Sequence, residues 1–314
     1  MLGRTANRLF WMFRYLERAE NTARMLDAGL RMAVTRDLET AEAEWRSVIA
    51  AIGLASAYEK EHDDYIGTNV WNFVLHGKSN PESVLAMIED VRTNARAVRS
   101  VISGELWEVI NESWMALRDA LSEDVGQGSV GEVVAMVRRT GTLAHGAMTG
   151  TLLRNEGFHF ARAGTFIERA DSVARMLDMK YYLLLPSLSY VGSNMDRGQW
   201  DNLLRSVSGE SGFSSLNAGE ITARGIVEFL VLDERFPRSL AFCHSSLRDE
   251  IAALARMHGR EASCNALMRQ SDMRMADISI DQVFEQGLHE FLLDFIGTNS
   301  AIAAAIAEDY RFVR

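Results

Sequence analysis

Over its first thirty residues the chain repeats apolar and polar positions with the period of a helix. At about 100° per residue, Tyr15, Leu16, Ala19, Ala23, Leu26 and Leu30 fall on one apolar arc, and Glu17, Glu20, Arg24 and Asp27 share another. Phe10, Trp11, Phe13 and Met25 are spread over the remaining sides. A helix that is apolar on most sides is a central one, so the spacing predicts a core helix from Thr5 to Met32 with charges along its length.

The same stretch occurs twice. Glu17 to Asp27 and Glu168 to Asp178 are identical at eight of eleven positions, and Asp171 replaces Glu20 at a ninth. Around the second copy stand Phe158, Phe160, Phe166, Ile167, Leu177, Tyr181 and Leu184. Later landmarks follow at a nearly constant offset. Trp45, Val48 and Ile49 return as Trp200, Leu203 and Leu204 at 155 residues, and Pro81 returns as Pro237 at 156. Ordered landmarks at one period are the mark of internal duplication. The expected fold is all-α: an internally duplicated helical bundle, with repeats 1–150 and 151–314 as pseudo-symmetric halves around the paired Glu-Arg helices.

Between these landmarks the pattern predicts further helices. One runs from Leu38 to Tyr58 after a Thr35-Arg36-Asp37 turn, and a short one carries Val70 to Leu75 and ends at Gly77. Another starts with Asn80 as N-cap and Pro81 in its first turn, and one follows Gly104. A sixth spans Val130 to Leu153, with small residues at Gly141, Ala144, Gly146, Ala147 and Gly150 that permit close helix packing. One or two more cover Val283 to Tyr310. Ser187 to Asn194 and Ser206 to Asn217 are rich in Ser and Gly. Ser208 to Ser215 is the most loop-like stretch, either a surface connection or a flap over a site.

Composition narrows the class. Apolar residues at 47% and charged residues at 24% are those of a globular domain, and three prolines in 314 residues favour helix. A net charge of −10 argues against a nucleic-acid binder. Cys243 and Cys264 are too far apart for a paired metal motif and suit a reducing, cytoplasmic setting. Phe10 to Phe13 is too short for a signal sequence, and no apolar run is expected to cross a membrane.

The chemistry centres on the repeated helix. A buried carboxylate costs several kcal/mol unless paired, so Glu17, Glu20, Glu168 and Asp171 form either a self-neutralising network with Arg14, Arg18, Arg24, Arg169 and Arg175, or a charged pocket between the two helices. As a pocket, the four carboxylates are the acid–base candidates. His159, about two turns before Glu168, joins them, and Arg4, Arg14, Arg18, Arg24, Arg169 and Arg175 are candidates for gripping an anion. Carboxylates at i, i+3 on two helices also suit a metal pair. The histidine of that pattern is absent at i+3 and arginines compete for the oxygens, so no metal and no cofactor are expected. No phosphate loop, dinucleotide fingerprint or zinc-protease helix occurs.

Leu2 to Arg24, read in full, resembles the opening of the bacterial alpha-E domain family. Phe229 to Asp233, Phe236 to Ser239 and Gly287 to Leu292 resemble its later blocks, so the likeness runs through the chain. The family is known mainly as a helical domain whose genes neighbour, or fuse with, circularly permuted ATP-grasp ligases, with transglutaminase-like peptidases close by. The resemblance implies a cytoplasmic accessory of an ATP-grasp amide- or peptide-ligase system that presents a peptide or aminoacyl group. The alternatives are an enzyme of the same pathway and a structural homodimeric scaffold. It carries over only Arg14, Glu17, Arg18, Glu20 and Arg24, with Glu168, Arg169, Asp171 and Arg175. Thr165 stands where the first copy has Arg14, so the two copies are not expected to be equivalent.

Overall fold

The computed structural model describes residues 1–33, 38–183, 194–216, 222–276 and 278–312. Among these residues there are fifteen helices and no strand. The Thr35-Arg36-Asp37 turn, the Ser187 to Ser193 part of the first Ser/Gly-rich stretch, Leu184 and the side chain of Tyr181 lie outside the described residues. The chain divides into two compact units, Arg8–Ala161 and Arg162–Arg314, and Met1–Asn7 belongs with the latter.

The first unit is built on α1 (Gly3–Ala33), which reaches it from Arg8 onward. Leu9, Phe10, Met12, Phe13, Leu16, Ala19, Ala23 and Leu26 are all buried, as the wrap-around apolar pattern requires. Burying each large side chain contributes about 1.5–3 kcal/mol, which is what lets one helix also carry charges inside. Next come α2 (Leu38–Ala51), α3 (Ala55–Tyr58), α4 (Gly67–His76), α5 (Val84–Ala97), α6 (Gly104–Ala120) and α7 (Val130–Thr151). α2 packs on α4, and α4, α5, α6 and α7 then pack each on the next. Trp71 joins α4 to the segment before α7 by donating from Nε1 to the Val125 carbonyl at 2.7 Å.

Two local expectations are corrected in this unit. The helix expected to run on to Tyr58 breaks after Ala51, because Gly53 takes φ +77°, a left-handed conformation that only glycine adopts cheaply. α3 begins two residues later, and Tyr58 becomes a fully buried ring stacked on His62. The cap before α5 is Ser83, not Asn80. The Ser83 hydroxyl accepts from the Ala86 N–H, whereas Asn80 closes the preceding turn by donating to the Phe73 carbonyl and accepting from the Glu82 N–H. Both are good capping residues, and the side chain that sits next to the orphan N–H groups is the one that caps.

The second unit follows α8 (Glu156–Leu183), from Arg162, with α9 (Asn194–Ser206), α10 (Glu210–Leu216), α11 (Ala223–Leu232), α12 (Leu240–His258), α13 (Ser263–Met275), α14 (Ile280–Gln286) and α15 (Leu288–Asp309). α9 packs on α11, α11 on α12, α12 on α13, and α13 on α15, with α14 against α11 and α15. The stretch expected as a loop from Ser208 to Ser215 turns at Ser208, which has φ 56°, and then forms α10. Phe213 fixes it: the ring is buried and meets Phe229 edge-on, and Phe229 stacks on Phe236.

α15 also departs from expectation. By length and composition it alone, among the described residues, is apolar enough to cross a membrane. Its buried face, which includes Phe291, Leu292, Phe295, Ile302 and Ile306, is that of a core helix packed on α13 and α14.

Candidate functional site

Within the first unit, α1 and α7 bring three ligating side chains together. Glu17 is fully buried and Glu20 nearly so, while His145 on α7 is 19% exposed at the side chain. His145 Nε2 lies 3.2 Å from Glu17 Oε2. One donor atom from each of Glu17, Glu20 and His145 lies within 4.8 Å of the others. No other group of described His, Cys, Asp and Glu residues is gathered closely enough to share an ion. The Phe13 ring, 5.6 Å from the His145 ring, forms an apolar side of the cluster.

Helix register explains the arrangement. Glu17 and Glu20 are three apart and Arg24 is four beyond Glu20, so one face of α1 carries all three. Arg24 Nε and Nη2 both donate to Glu20 Oε1, at 3.0 and 2.8 Å. Asp27, one turn further, accepts from Arg31 at 2.7 Å and from Arg138 of α7 at 3.0 Å. On α7, Arg138, Gly141 and His145 are spaced three and four apart and face α1 together. Gly141 sits against the Glu20 carboxylate: a β-carbon there would fall 2.2 Å from Oε2. The small residues expected to permit close packing therefore have a specific use at one position, which is to admit a carboxylate.

The other sequence candidates are distributed differently. Arg14 stacks over Trp11 at 4.5 Å, and Arg18 points to Glu82 at 4.0 Å with 28% of its side chain exposed. His159, the histidine favoured from sequence, lies beside Phe158 and is not part of the Glu17 cluster. Arg4 is exposed and belongs to the second unit. So do Glu168, Arg169, Asp171 and Arg175. Glu168 is buried, Arg169 reaches the Pro237 carbonyl at 3.3 Å, and Asp171 pairs at 2.7 Å with a half-exposed Arg175. Thus Glu20 and Arg24 are paired inside the protein, while their counterparts Asp171 and Arg175 pair at its surface.

Two features were not anticipated. His145 has no acidic residue near it in sequence, and its partner Glu17 comes from a helix 128 residues earlier. In the second unit, α12 and α13 border an open groove of about 470 Å³ lined by Arg248, Arg256, Arg260 and Arg269. Glu261 and Asp272 line the same groove, within 2.8 Å of Arg269 and 3.8 Å of Arg248 respectively. Their proximity tempers its positive character.

Comparison with known proteins adds relatives of matching kind. An uncharacterized protein of Mycobacterium bovis is 23% identical over 275 residues, covering 80% of this chain and 30% of that protein. Uncharacterized proteins of two Mycobacterium tuberculosis strains match over the same length at 23% and 22% identity. This chain therefore spans about a third of the length of the curated relatives it matches. No solved structure matches significantly. The family model for Alpha-E, described as a predicted alpha-helical domain with a conserved ER motif, matches residues 1–311, and the chain belongs to that family.

Proposed function

We infer that this chain is the helical module of an ATP-grasp amide- or peptide-ligase system, and that the Glu17–Glu20–His145 cluster with Arg24 is its working site. The observation that carries the site is the convergence of two buried carboxylates and a partly exposed imidazole from α1 and α7. Carboxylates and an imidazole gathered in a partly enclosed place are a common setting for chemistry or ligand binding. The partner reading draws on the resemblance described above. It is also consistent with the relatives, in which the matched region makes up 30% of a longer protein, as befits a module that works beside others.

Co-purification with an ATP-grasp ligase from the same genome, and the ligase's ATP turnover with and without this chain, tests the partner role. Complex formation and altered turnover are expected. No complex together with unchanged turnover rejects it.

A second reading is favoured by one distance. His145 Nε2 at 3.2 Å from Glu17 Oε2 is within reach for proton exchange, so the cluster could serve an enzyme of the same pathway as its acid–base pair. Retained turnover of a peptide or aminoacyl substrate by H145A and E17Q would reject that version.

A further inference from the structure

We propose that Glu17, Glu20 and His145 form a mononuclear site for a first-row divalent transition cation such as zinc, manganese or iron(II). This deepens the reading of the same cluster as the working site. The donor set mixes two carboxylates with one imidazole, a combination that suits these ions better than magnesium or calcium, which prefer all-oxygen shells. The separation fits as well. Ligand atoms held about 2.0–2.2 Å from a common ion stand roughly 3.0–3.5 Å apart, and His145 Nε2 and Glu17 Oε2 are 3.2 Å apart. A Glu20 oxygen completes the set, with all three ligand atoms within 4.8 Å of one another.

Two surrounding features serve the site. Arg24 donates from Nε and Nη2 to Glu20 Oε1, and so orients the carboxylate. Oε2 lies on the side of Gly141, where any side chain would fill the space beside it. Arg24 therefore holds the carboxylate, and the glycine leaves room for it against α7. Both carboxylates are buried and the imidazole is 19% exposed, so His145 marks the route by which an ion and its water reach the site. Three protein ligands leave coordination positions for water or substrate, as in catalytic rather than structural metal centres.

The missing histidine of the sequence pattern is thus supplied in space. It stands on the helix that packs against α1, not three residues after a glutamate.

The test uses the full chain, stripped with a chelator and titrated calorimetrically with ZnCl2 and with MnCl2, and separately with CoCl2 followed by visible absorption. Expected are one ion per chain, cobalt bands of a nitrogen–oxygen site, and at least a tenfold loss of affinity in H145A. E17Q is a second variant, and H159A is the control that should bind like wild type. Far-ultraviolet circular dichroism establishes that each variant is folded. If E17Q does not fold, H145A and the wild-type stoichiometry still decide. Absence of saturable binding by the wild-type chain overturns the proposal. So does affinity unchanged in folded H145A, or affinity lost in H159A instead. No ligase takes part in these titrations, so their failure leaves the partner reading standing, and failure of the ligase experiment leaves the metal site standing.

Discussion

Gly141 of α7 and Glu20 of α1 approach so closely that a β-carbon on the glycine would lie 2.2 Å from a carboxylate oxygen. Replacing Gly141 with alanine raises helix propensity by about 0.5–1 kcal/mol, and overpacking costs about 1–3 kcal/mol. The clash falls on a carboxylate that Arg24 already holds, so the loss is expected to win. G141A should melt at a lower temperature than the wild type. G146A, on the same helix with open space around the added carbon, should melt no lower than wild type. Thermal unfolding of the two variants side by side measures this; a more stable G141A would show that the approach is looser than described.

Arg24 and Arg175 hold the same place in the two copies of the Glu-Arg stretch, yet their deletion should cost very different amounts. The Arg24–Glu20 pair has side chains only 10% and 4% exposed. Removing one partner of a buried pair costs about 3–5 kcal/mol. Arg175 is 52% exposed beside Asp171, and surface pairs are worth about 0–1 kcal/mol. Denaturant unfolding of R24A and R175A should therefore differ severalfold in the stability lost. Equal losses would mean that Glu20 is held mainly by groups other than Arg24.

His244 makes stability depend on pH. It is buried in the second unit, with Nε2 2.8 Å from Ser271 Oγ and Nδ1 3.3 Å from an Asp272 oxygen. Burial first, and the Arg248 guanidinium second, lower its pKa from the ordinary 6.5 to about 4. Asp272 would by itself favour the imidazolium. The same burial raises the pKa of that carboxylate, however, and the desolvation of the ring is the larger effect. The folded ring is therefore neutral where the unfolded one is protonated. Its contribution is complete above pH 6.5 and is lost as pH falls towards 4. Melting temperatures at pH 7.5 and 5.0 should fall less in H244N than in the wild type. An identical fall would assign the pH dependence to other groups.

Cys264 should be inert in the native protein. It is buried, and desolvation together with the Asp309 carboxylate pushes its pKa up to about 12, so almost no thiolate forms at neutral pH. Cys243 is buried as well. A thiol reagent such as dithionitrobenzoate should report no fast-reacting cysteine in the native chain and two after denaturation. A native burst would show that one of these helices opens readily.

The linear pattern was sufficient for the all-helical class and for the central position of α1. Hydrophobic periodicity records which residues a helix buries, and a helix apolar on most sides has no solvent face to spare. It also singled out Glu17, Glu20 and Arg24, because their spacing alone puts them on one face of α1. Local competition was harder to read. Asn80 and Ser83 are both good caps, and only the path of the chain shows which one meets the helix N-terminus. Likewise the Ser/Gly composition of 208–215 suggested a loop, whereas the contacts of Phe213 with a neighbouring helix make it α10. His145 was out of reach altogether. Its meaning comes from packing α7 on α1 across 128 residues, and a lone histidine carries no periodic signal of its own. Glu20 and Asp171 show the same division: near-identical letters in the two copies, but one carboxylate enclosed beside a glycine and the other half-buried beside an exposed arginine. Burial belongs to the helix that arrives from elsewhere in the chain, and the sequence around a residue does not contain it.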